Sequence, residues 1–435
     1  MIKNFIGSSV RSNPLVKQIG TVFSGGAIGQ VVTILTAPII TRLFTPEDFG
    51  VFALFFSIAS MVGNNSQLAY YQGLVIPPDD DSAKDLLFLC LILTLLVSFI
   101  SAGATFLVHQ FCIETEWIAR LDRWLFWVPV AVFLIGTNLS LGSYNNRHKK
   151  YLTIAGANIS LNSVPPLLRI IAGTLYGSSV AILVFSQLIA LVSQAIILCR
   201  TVIVNFYVSF TQLFSLRWLK PLKDYKDFPL YSLPSSLLAS LAAQLPIVIL
   251  SAATAPEFVG FYAVANRLVA RPLLPLQDAV RQVYQRRVAE QINDGSNSRN
   301  EFLKITFVLF LVGLIPFGII AFWGKEFFGL LLGSQWEETG RVAAVLVPWL
   351  YTSFILPPTN AILLIGRFNR FRLCYMSIST FLRILTLYYG LFYFDNSIFA
   401  LFVFSALSAC FNLLLIIIVT LLLSTQMRTH SCKTL

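Results

Sequence analysis

Apolar runs of membrane-spanning length follow one another along almost the whole chain, separated by short polar and mostly basic stretches. Crossing a hydrocarbon core takes about 20 mostly apolar residues in a helix. That spacing predicts about twelve spans, near 18–42, 47–75, 84–109, 121–145, 151–176, 178–203, 228–252, 256–283, 301–324, 341–365, 369–392 and 396–423. The longest connection, Asn205 to Asp227, is basic and aromatic and predicts an interfacial helix between two halves. The expected organisation is therefore an N-terminal six-helix bundle over 1–203, a cytoplasmic interfacial linker over 204–227, and a C-terminal six-helix bundle over 228–435.

The halves share a pattern. Pro46-Glu47-Asp48-Phe49-Gly50-Val51-Phe52-Ala53 is matched 210 residues later by Pro256-Glu257-Phe258-Val259-Gly260-Phe261-Tyr262-Ala263. At the same offset Gln67 falls on Gln277, and Pro38 has a near counterpart in Pro246. A proline followed by acids is a helix start, because the missing N–H costs nothing there and the carboxylates face the positive end of the dipole. Capping alone does not explain the downstream glycine, aromatic and alanine. Six spans separate the copies, so the halves share an orientation, as in transporters built from parallel repeats. The fold class expected is an all-α polytopic membrane protein, two pseudo-symmetric six-helix bundles around a central cavity.

Polar residues interrupt several spans at helical spacing. Asn158, Asn162 and Arg169 share a face of the fifth span, which Pro165-Pro166 is expected to break. Ser236, Ser240 and Gln244 line the seventh, Tyr375, Ser379 and Arg383 the eleventh. Asn64, Gln67 and Tyr71 mark the second, and Ser405, Ser408 and Asn412 the twelfth. The plain reading of any one such residue is interhelical bonding, worth about 0.6–2 kcal/mol. Stripes on five helices together point to a hydrated lumen between the halves.

Composition narrows the class. The 435 residues are 56% hydrophobic and 12% charged, against roughly 25% charge in soluble domains. A net charge of +11 suggests nucleic acid only until its distribution is read. With the N-terminus inside, 22 of the 31 Lys and Arg fall in cytoplasmic segments and 5 in outer ones. That bias sets topology, with both termini cytoplasmic, and excludes a nucleic-acid partner. Six scattered cysteines without a CxxC, and three distant histidines, predict no disulfide, metal or cofactor.

The remaining four basic residues lie deep in spans: Arg169, Arg267, Arg271 and Arg383. A lone charge near the bilayer centre costs about 3 kcal/mol on insertion scales, so such residues usually face a polar cavity. Arg267 sits eleven residues past Pro256, roughly 16 Å into its helix, too deep to reach the interface by extending its stem. Arg267 and Arg271 fall opposite Ser57 and Met61 of the first half, so they read as an addition to the second half and not as a scaffold requirement. A guanidinium fork suits phosphate and carboxylate oxygens and keeps its proton when buried. The candidate ligand set for an anionic cargo is therefore Arg267, Arg271, Arg169 and Arg383, with Asn158, Asn162, Gln67 and Gln244 as polar lining; no residue is read as catalytic.

Two stretches carry a family resemblance. Ala37 to Gly63 (APIITRLFTPEDFGVFALFFSIASMVG) resembles the first two helices of bacterial polysaccharide, or O-antigen, flippases of the multidrug/oligosaccharidyl-lipid/polysaccharide exporter superfamily. Pro256 to Glu290 looks like the corresponding element of the second half. The resemblance implies a transporter of the bacterial inner membrane. Its cargo would be an undecaprenyl pyrophosphate-linked oligosaccharide, turned from the cytoplasmic to the periplasmic leaflet among membrane lipids. Polysaccharide polymerase and chain-length machinery would be its further partners. A glycan-assembly enzyme, whether glycosyltransferase or polymerase, is the competing reading, with Glu47 and Asp48 as its acids; every outer loop is short for one. A cation-coupled drug exporter is the third, and the first span lacks the deep carboxylate it would need.

Cysteine labelling in intact cells tests the charge bias. Positions 149, 223 and 370 should react only after the membrane is permeabilised, and positions 116 and 336 should react from outside. Labelling at 223 from outside would overturn the topology.

Overall fold

The computed structural model describes residues 14–112, 114–206, 220–293, 299–365, 368–393 and 396–431. Those residues are helical almost throughout, with no strand among them. Fourteen principal helices follow the predicted spans. The first half contains α1 (Pro14–Leu43), α2 (Pro46–Gly63), α3 (Asp80–Cys112), α4 (Val128–Arg147), α5 (Tyr151–Tyr176) and α6 (Val180–Phe206). Then come α7 (Leu233–Ala253), α8 (Pro256–Val269), α9 (Leu274–Asn293) and α10 (Arg299–Leu332). The chain closes with α11 (Glu337–Ile355), α12 (Pro357–Ile365), α13 (Asn369–Tyr393) and α14 (Ser397–Ser431). The eighth span is the pair α8 and α9, and the tenth is α11 and α12, bent by 45°. Of the expected linker helix, 207–219 lie outside the described residues, and Lys220–Asp224 form a single turn.

Among the described residues, seven helices are long and apolar enough to cross a membrane, and the bent α11–α12 pair makes an eighth. The other expected spans are present as helices but carry the breaks or polar residues described below.

Two spans differ from expectation, each for a local reason. α5 is unbroken although Pro165 and Pro166 lie inside it. Pro166 has no N–H for the Asn162 carbonyl, and that carbonyl instead shares the Thr33 hydroxyl of α1 (3.3 Å) with the Gly29 carbonyl (3.0 Å). The approach is close: a Cβ on Gly29 of α1 would lie 2.7 Å from Asn162 Cβ. The second span, by contrast, does not continue to residue 75. α2 ends at Gly63, where Asn65 Nδ2 donates back to the Met61 carbonyl at 2.8 Å and Ser66 Oγ to the Gly63 carbonyl at 2.9 Å. Such local bonds compete with helix continuation. Leu68 and Ala69 then adopt left-handed backbone (φ 51° and 65°) before a short 3₁₀ turn, Tyr70–Val75. Each such residue costs on the order of 1–3 kcal/mol and persists only where its surroundings hold it.

Packing within the chain resolves into two compact units, Met1–Ala252 and Ala253–Leu435. In the first, α1 lies along α5, α2 packs on α4, α3 on α4, and α6 on both α4 and α5. α7 is bonded to this unit at both ends. Asn65 Nδ2 donates to Ser240 Oγ (3.0 Å) and Ser236 Oγ to Asn65 Oδ1 (2.8 Å), while Arg120 donates to the Ser251 carbonyl at 3.3 Å. The second unit repeats the scheme, with α8 on α11, α10 on α11, and α14 on α11 and α13.

Buried cores repeat as well: Tyr70 with Leu74, Leu86 and Leu87 in the first unit, Tyr284 with Val288 and Phe302 in the second. Gln67 and Tyr70 are three residues apart, whereas Gln277 and Tyr284 are seven apart. The surplus of four residues is about one helical turn. It lets α9 stay helical where the first half makes its left-handed turn.

Thr33→Val removes the donor to Asn162 and should destabilise the protein by about 1 kcal/mol. Thermal unfolding of purified protein in detergent reads this out, and an unchanged midpoint would show that the freed carbonyl needs no partner.

Candidate functional site

The eighth span is built to break. Pro272 and Pro275 have no N–H for the carbonyls of Leu268 and Arg271, so α8 stops at Val269 and a 3₁₀ turn, Arg271–Leu273, precedes α9. Ala270 and Leu273 close the turn with backbone bonds to Asn266 (3.0 Å) and Ala270 (3.2 Å). Arg267 occupies the last turn of α8 and Arg271 opens the 3₁₀ turn, so both cations stand at the negative end of the α8 dipole. That placement is worth about 0.3–1 kcal/mol each and offsets part of their cost within the membrane. Arg267 is half-buried and Arg271 exposed. An accessible guanidinium at that depth is expensive against hydrocarbon, so it requires water or an anion as its neighbour.

Arg169 and Arg383 are placed differently. Arg169 is 1% exposed. Its Nε donates to Ser186 Oγ (2.9 Å) and an Nη to the Leu183 carbonyl (3.2 Å), both on α6, and its guanidinium lies 4.8 Å from the Phe52 ring centre. Arg383 donates to the Ser408 carbonyl (3.4 Å) and to Asn412 Oδ1 (3.1 Å), both on α14, and lies 5.9 Å from the Phe411 ring. Each arginine sits on the fifth helix of its half, bonds the sixth, and rests near an aromatic face. They are two copies of one repeat position, 214 residues apart.

Much of the remaining polar lining is engaged between or along helices. Gln67, fully buried, donates to the Gly136 carbonyl of α4 at 2.6 Å. A Cβ on Gly136 would stand 2.8 Å from Gln67 Nε2, so glycine is what admits the amide. Asn162 Nδ2 donates to the Asn158 carbonyl at 2.8 Å, one turn back along α5. Asn158 and Gln244 are half-buried. The stripes on the seventh, eleventh and twelfth spans include interhelical partners: Ser236 and Ser240 meet Asn65, Tyr375 bonds the Phe411 carbonyl at 2.5 Å, and Ser405 accepts from the Trp349 N–H at 3.2 Å. Sequence reasoning missed Asn138 and Asn145 of α4, which donate to the Leu191 and Leu198 carbonyls of α6 at 2.9 and 3.1 Å. Their seven-residue spacing was the available signal.

The acids of the rival enzyme reading begin a helix. Asp48 accepts from Thr45 Oγ1 at 2.9 Å and from Ser178 Oγ, and its N–H bonds back to Thr45 Oγ1 at 3.2 Å. Among the described residues no group of three His, Cys, Asp or Glu side chains is placed to hold a metal ion.

Residues 39–341 match a protein family described as "Polysaccharide biosynthesis protein". No curated protein sequence shows a match. Among solved structures, the lipid II flippase MurJ in an inward closed conformation superposes with a TM-score of 0.68 at 13% identity, over 93% of this chain and 87% of that one. An inward-facing multidrug resistance MATE family transporter of the MOP superfamily gives 0.59 at 17% identity, over 95% of both chains. A MOP superfamily transporter from Pyrococcus furiosus Vc1, described as having a binding pocket of reverse polarity, gives 0.55 at 17% identity over 96% of each. These likenesses place the chain in the all-α, multi-pass transporter fold of about twelve helices.

The two classes of arginine should separate in stability. Arg169→Ala opens a buried cavity and removes the bonds to Ser186 Oγ and the Leu183 carbonyl, lowering stability by about 2–4 kcal/mol. Arg271→Ala should leave stability within about 0.5 kcal/mol or raise it. Equal losses for both in thermal unfolding of purified protein would contradict this division.

Proposed function

The chain belongs to the polysaccharide biosynthesis protein family, and we propose that within it this member moves a lipid-linked oligosaccharide across the bacterial inner membrane. The cargo is an undecaprenyl pyrophosphate-linked glycan passing from the cytoplasmic to the periplasmic leaflet by alternating access, with both termini of the protein in the cytoplasm. Its product would feed a polysaccharide polymerase and chain-length machinery.

One observation carries the reading. Of four deep arginines, two form a repeated tie inside each half, and the other two stand at a helix break that has no arginine in the first half. Scaffold roles recur with the repeat, so we assign cargo contact to this break, with the exposed Arg271 as its leading group and Arg267 one turn before it. A guanidinium fork donates two parallel charge-assisted bonds to a pyrophosphate or an acidic sugar. Each sugar hydroxyl taken unpaired into hydrocarbon costs several kcal/mol, so the glycan needs a polar route while its prenyl tail stays in lipid. Arg271, exposed and within a span, is the group such a route would pass.

Flipping of a lipid-linked glycan in proteoliposomes tests the assignment. Arg267→Ala and Arg271→Ala should each slow it by about 10- to 100-fold, the range expected for losing a charged hydrogen bond. Ser57→Ala, at the matching first-half position, should be mild, and Arg271→Lys should keep part of the rate. Normal flipping by Arg271→Ala at normal protein levels would reject the role.

A further inference from the structure

The turn between α4 and α5 carries the basic run Arg147-His148-Lys149-Lys150, and its backbone is fixed. The Lys150 N–H donates to the Asn145 carbonyl and the Lys149 N–H to the Asn146 carbonyl, both at 3.0 Å, the double bond of a Schellman helix end. Lys149 takes the left-handed position of that motif, φ 55°, where glycine is the usual occupant. Lys150 follows as the cap residue of α5 and makes no side-chain bond to the helix start, so its ammonium is not spent there.

A cavity of about 450 Å³ lies against this turn, lined by Asp80 and Lys84 of α3 with Tyr144, His148 and Lys150. Its size is that of small-molecule sites, roughly 300–1,000 Å³. All five residues belong to the first compact unit.

The charges of the wall decide what fits. Asp80 is its one carboxylate, and Asp80 Oδ1 already accepts from Arg147 Nε (3.3 Å) and an Arg147 Nη (3.2 Å), while the other Nη donates to the Pro77 carbonyl (2.6 Å). The neighbouring acid Asp79 accepts from the Ser82 N–H (2.7 Å) and hydroxyl (3.0 Å). Lys84 is 17% exposed and pairs at 3.1 Å with Asp81, which is 73% exposed. A pair whose acid stands in water contributes little, and an ammonium keeps two donors beyond that bond. His148 Nε2 is buried without a hydrogen-bond partner. Among the described residues no three His, Cys, Asp or Glu side chains are placed to hold a metal ion, so a cation has no ligand set here. Two ammonium groups beside a neutralised acid suit an anion with several acceptor oxygens.

We propose that this cavity binds a phosphate group, carried by an anionic lipid. The site is separate in sequence from the Arg267–Arg271 break and does not depend on the cargo reading. A lipid source is favoured by its flanks: Val75 and Ile76, which lead into Pro77, and Leu152, two residues after Lys150, are all exposed apolar side chains. Such residues offer acyl chains a surface beside the polar wall. On the topology expected from the charge bias this end faces the cytoplasm, where basic pockets at helix ends take lipid head groups.

Full-length protein, purified and stripped of lipid in detergent, is titrated with phosphatidylglycerol, with dioleoylglycerol and with inorganic phosphate. Bound lipid is counted by native mass spectrometry, and the unfolding midpoint is followed at constant ionic strength. Phosphatidylglycerol should bind saturably, and Lys84→Gln and Lys150→Gln should each weaken it about fivefold. Lys149→Asn removes the same charge one residue away, keeps a side chain that tolerates the left-handed turn, and should change affinity less than twofold. Equal losses in Lys149→Asn and Lys150→Gln would show that surface charge alone attracts the lipid and overturn the site. Dioleoylglycerol, which has acyl chains and no phosphate, binding as tightly as phosphatidylglycerol overturns it too. A Lys150-dependent rise in midpoint with inorganic phosphate, with no further rise from phosphatidylglycerol, upholds the phosphate site and makes its occupant a soluble ion. Should Lys84→Gln fail to fold, Lys150→Gln at its exposed position decides alone, and unchanged affinity there overturns the proposal.

Discussion

A polar atom inside a bilayer has no water to turn to, and that constraint shapes every other feature of this chain. The sequence places asparagines, glutamines and arginines in spans whose surroundings are otherwise leucine, isoleucine and phenylalanine. Many of them reach across to a backbone carbonyl of a neighbouring helix, because a carbonyl has a second lone pair free even inside a helix. Gln67 to Gly136, Asn138 to Leu191, Asn145 to Leu198 and Arg383 to Ser408 are all of this kind. Between lipid-like surfaces there is little hydrophobic drive toward association, so such bonds and close glycine contacts decide which helices pair. Prolines follow the same logic: a removed N–H is tolerated in α5 because Thr33 answers for it, and produces a break at Arg271, where two prolines act within four residues.

Most of the architecture was legible from the spacing of apolar runs and the 210-residue repeat. Helix bounds such as Tyr151–Tyr176 and Asn369–Tyr393 fall within a residue of the expected spans 151–176 and 369–392. What hydropathy could not reveal was local backbone competition. The stretch from Asn64 to Ala69 is mostly polar, which fits a lined helix as readily as a broken one, and what ends α2 is that the side chains of Asn65 and Ser66 capture carbonyls of the preceding turn. Pro165-Pro166 misled in the opposite direction, since the rescue comes from a threonine 132 residues earlier in sequence, beyond the reach of any windowed pattern.

For the site, the sequence reading grouped unlike cases among the deep arginines. All four deep arginines lie in apolar spans, and hydropathy alone does not distinguish a guanidinium facing Ser186 from one left accessible. The repeat supplied the missing distinction once its register was followed past Gln67, where the offset shifts from 210 to 214 and brings Arg169 onto Arg383. Without coordinates, that shift of one turn is hidden by apolar sequence that aligns about equally well in several registers.

The seventh helix has a consequence for how the molecule is divided. By connectivity it opens the second repeat, yet Asn65 and Arg120 bond it into the first unit, whose boundary falls at Ala252. The covalent seam and the non-covalent seam are therefore one helix apart. A nick in the basic linker would hand α7 to a fragment that lacks its hydrogen-bonding partners, while a nick in the short turn at Thr254–Ala255 would respect them. The chain is two repeats by sequence pattern and two units by bonding, and the two divisions do not coincide.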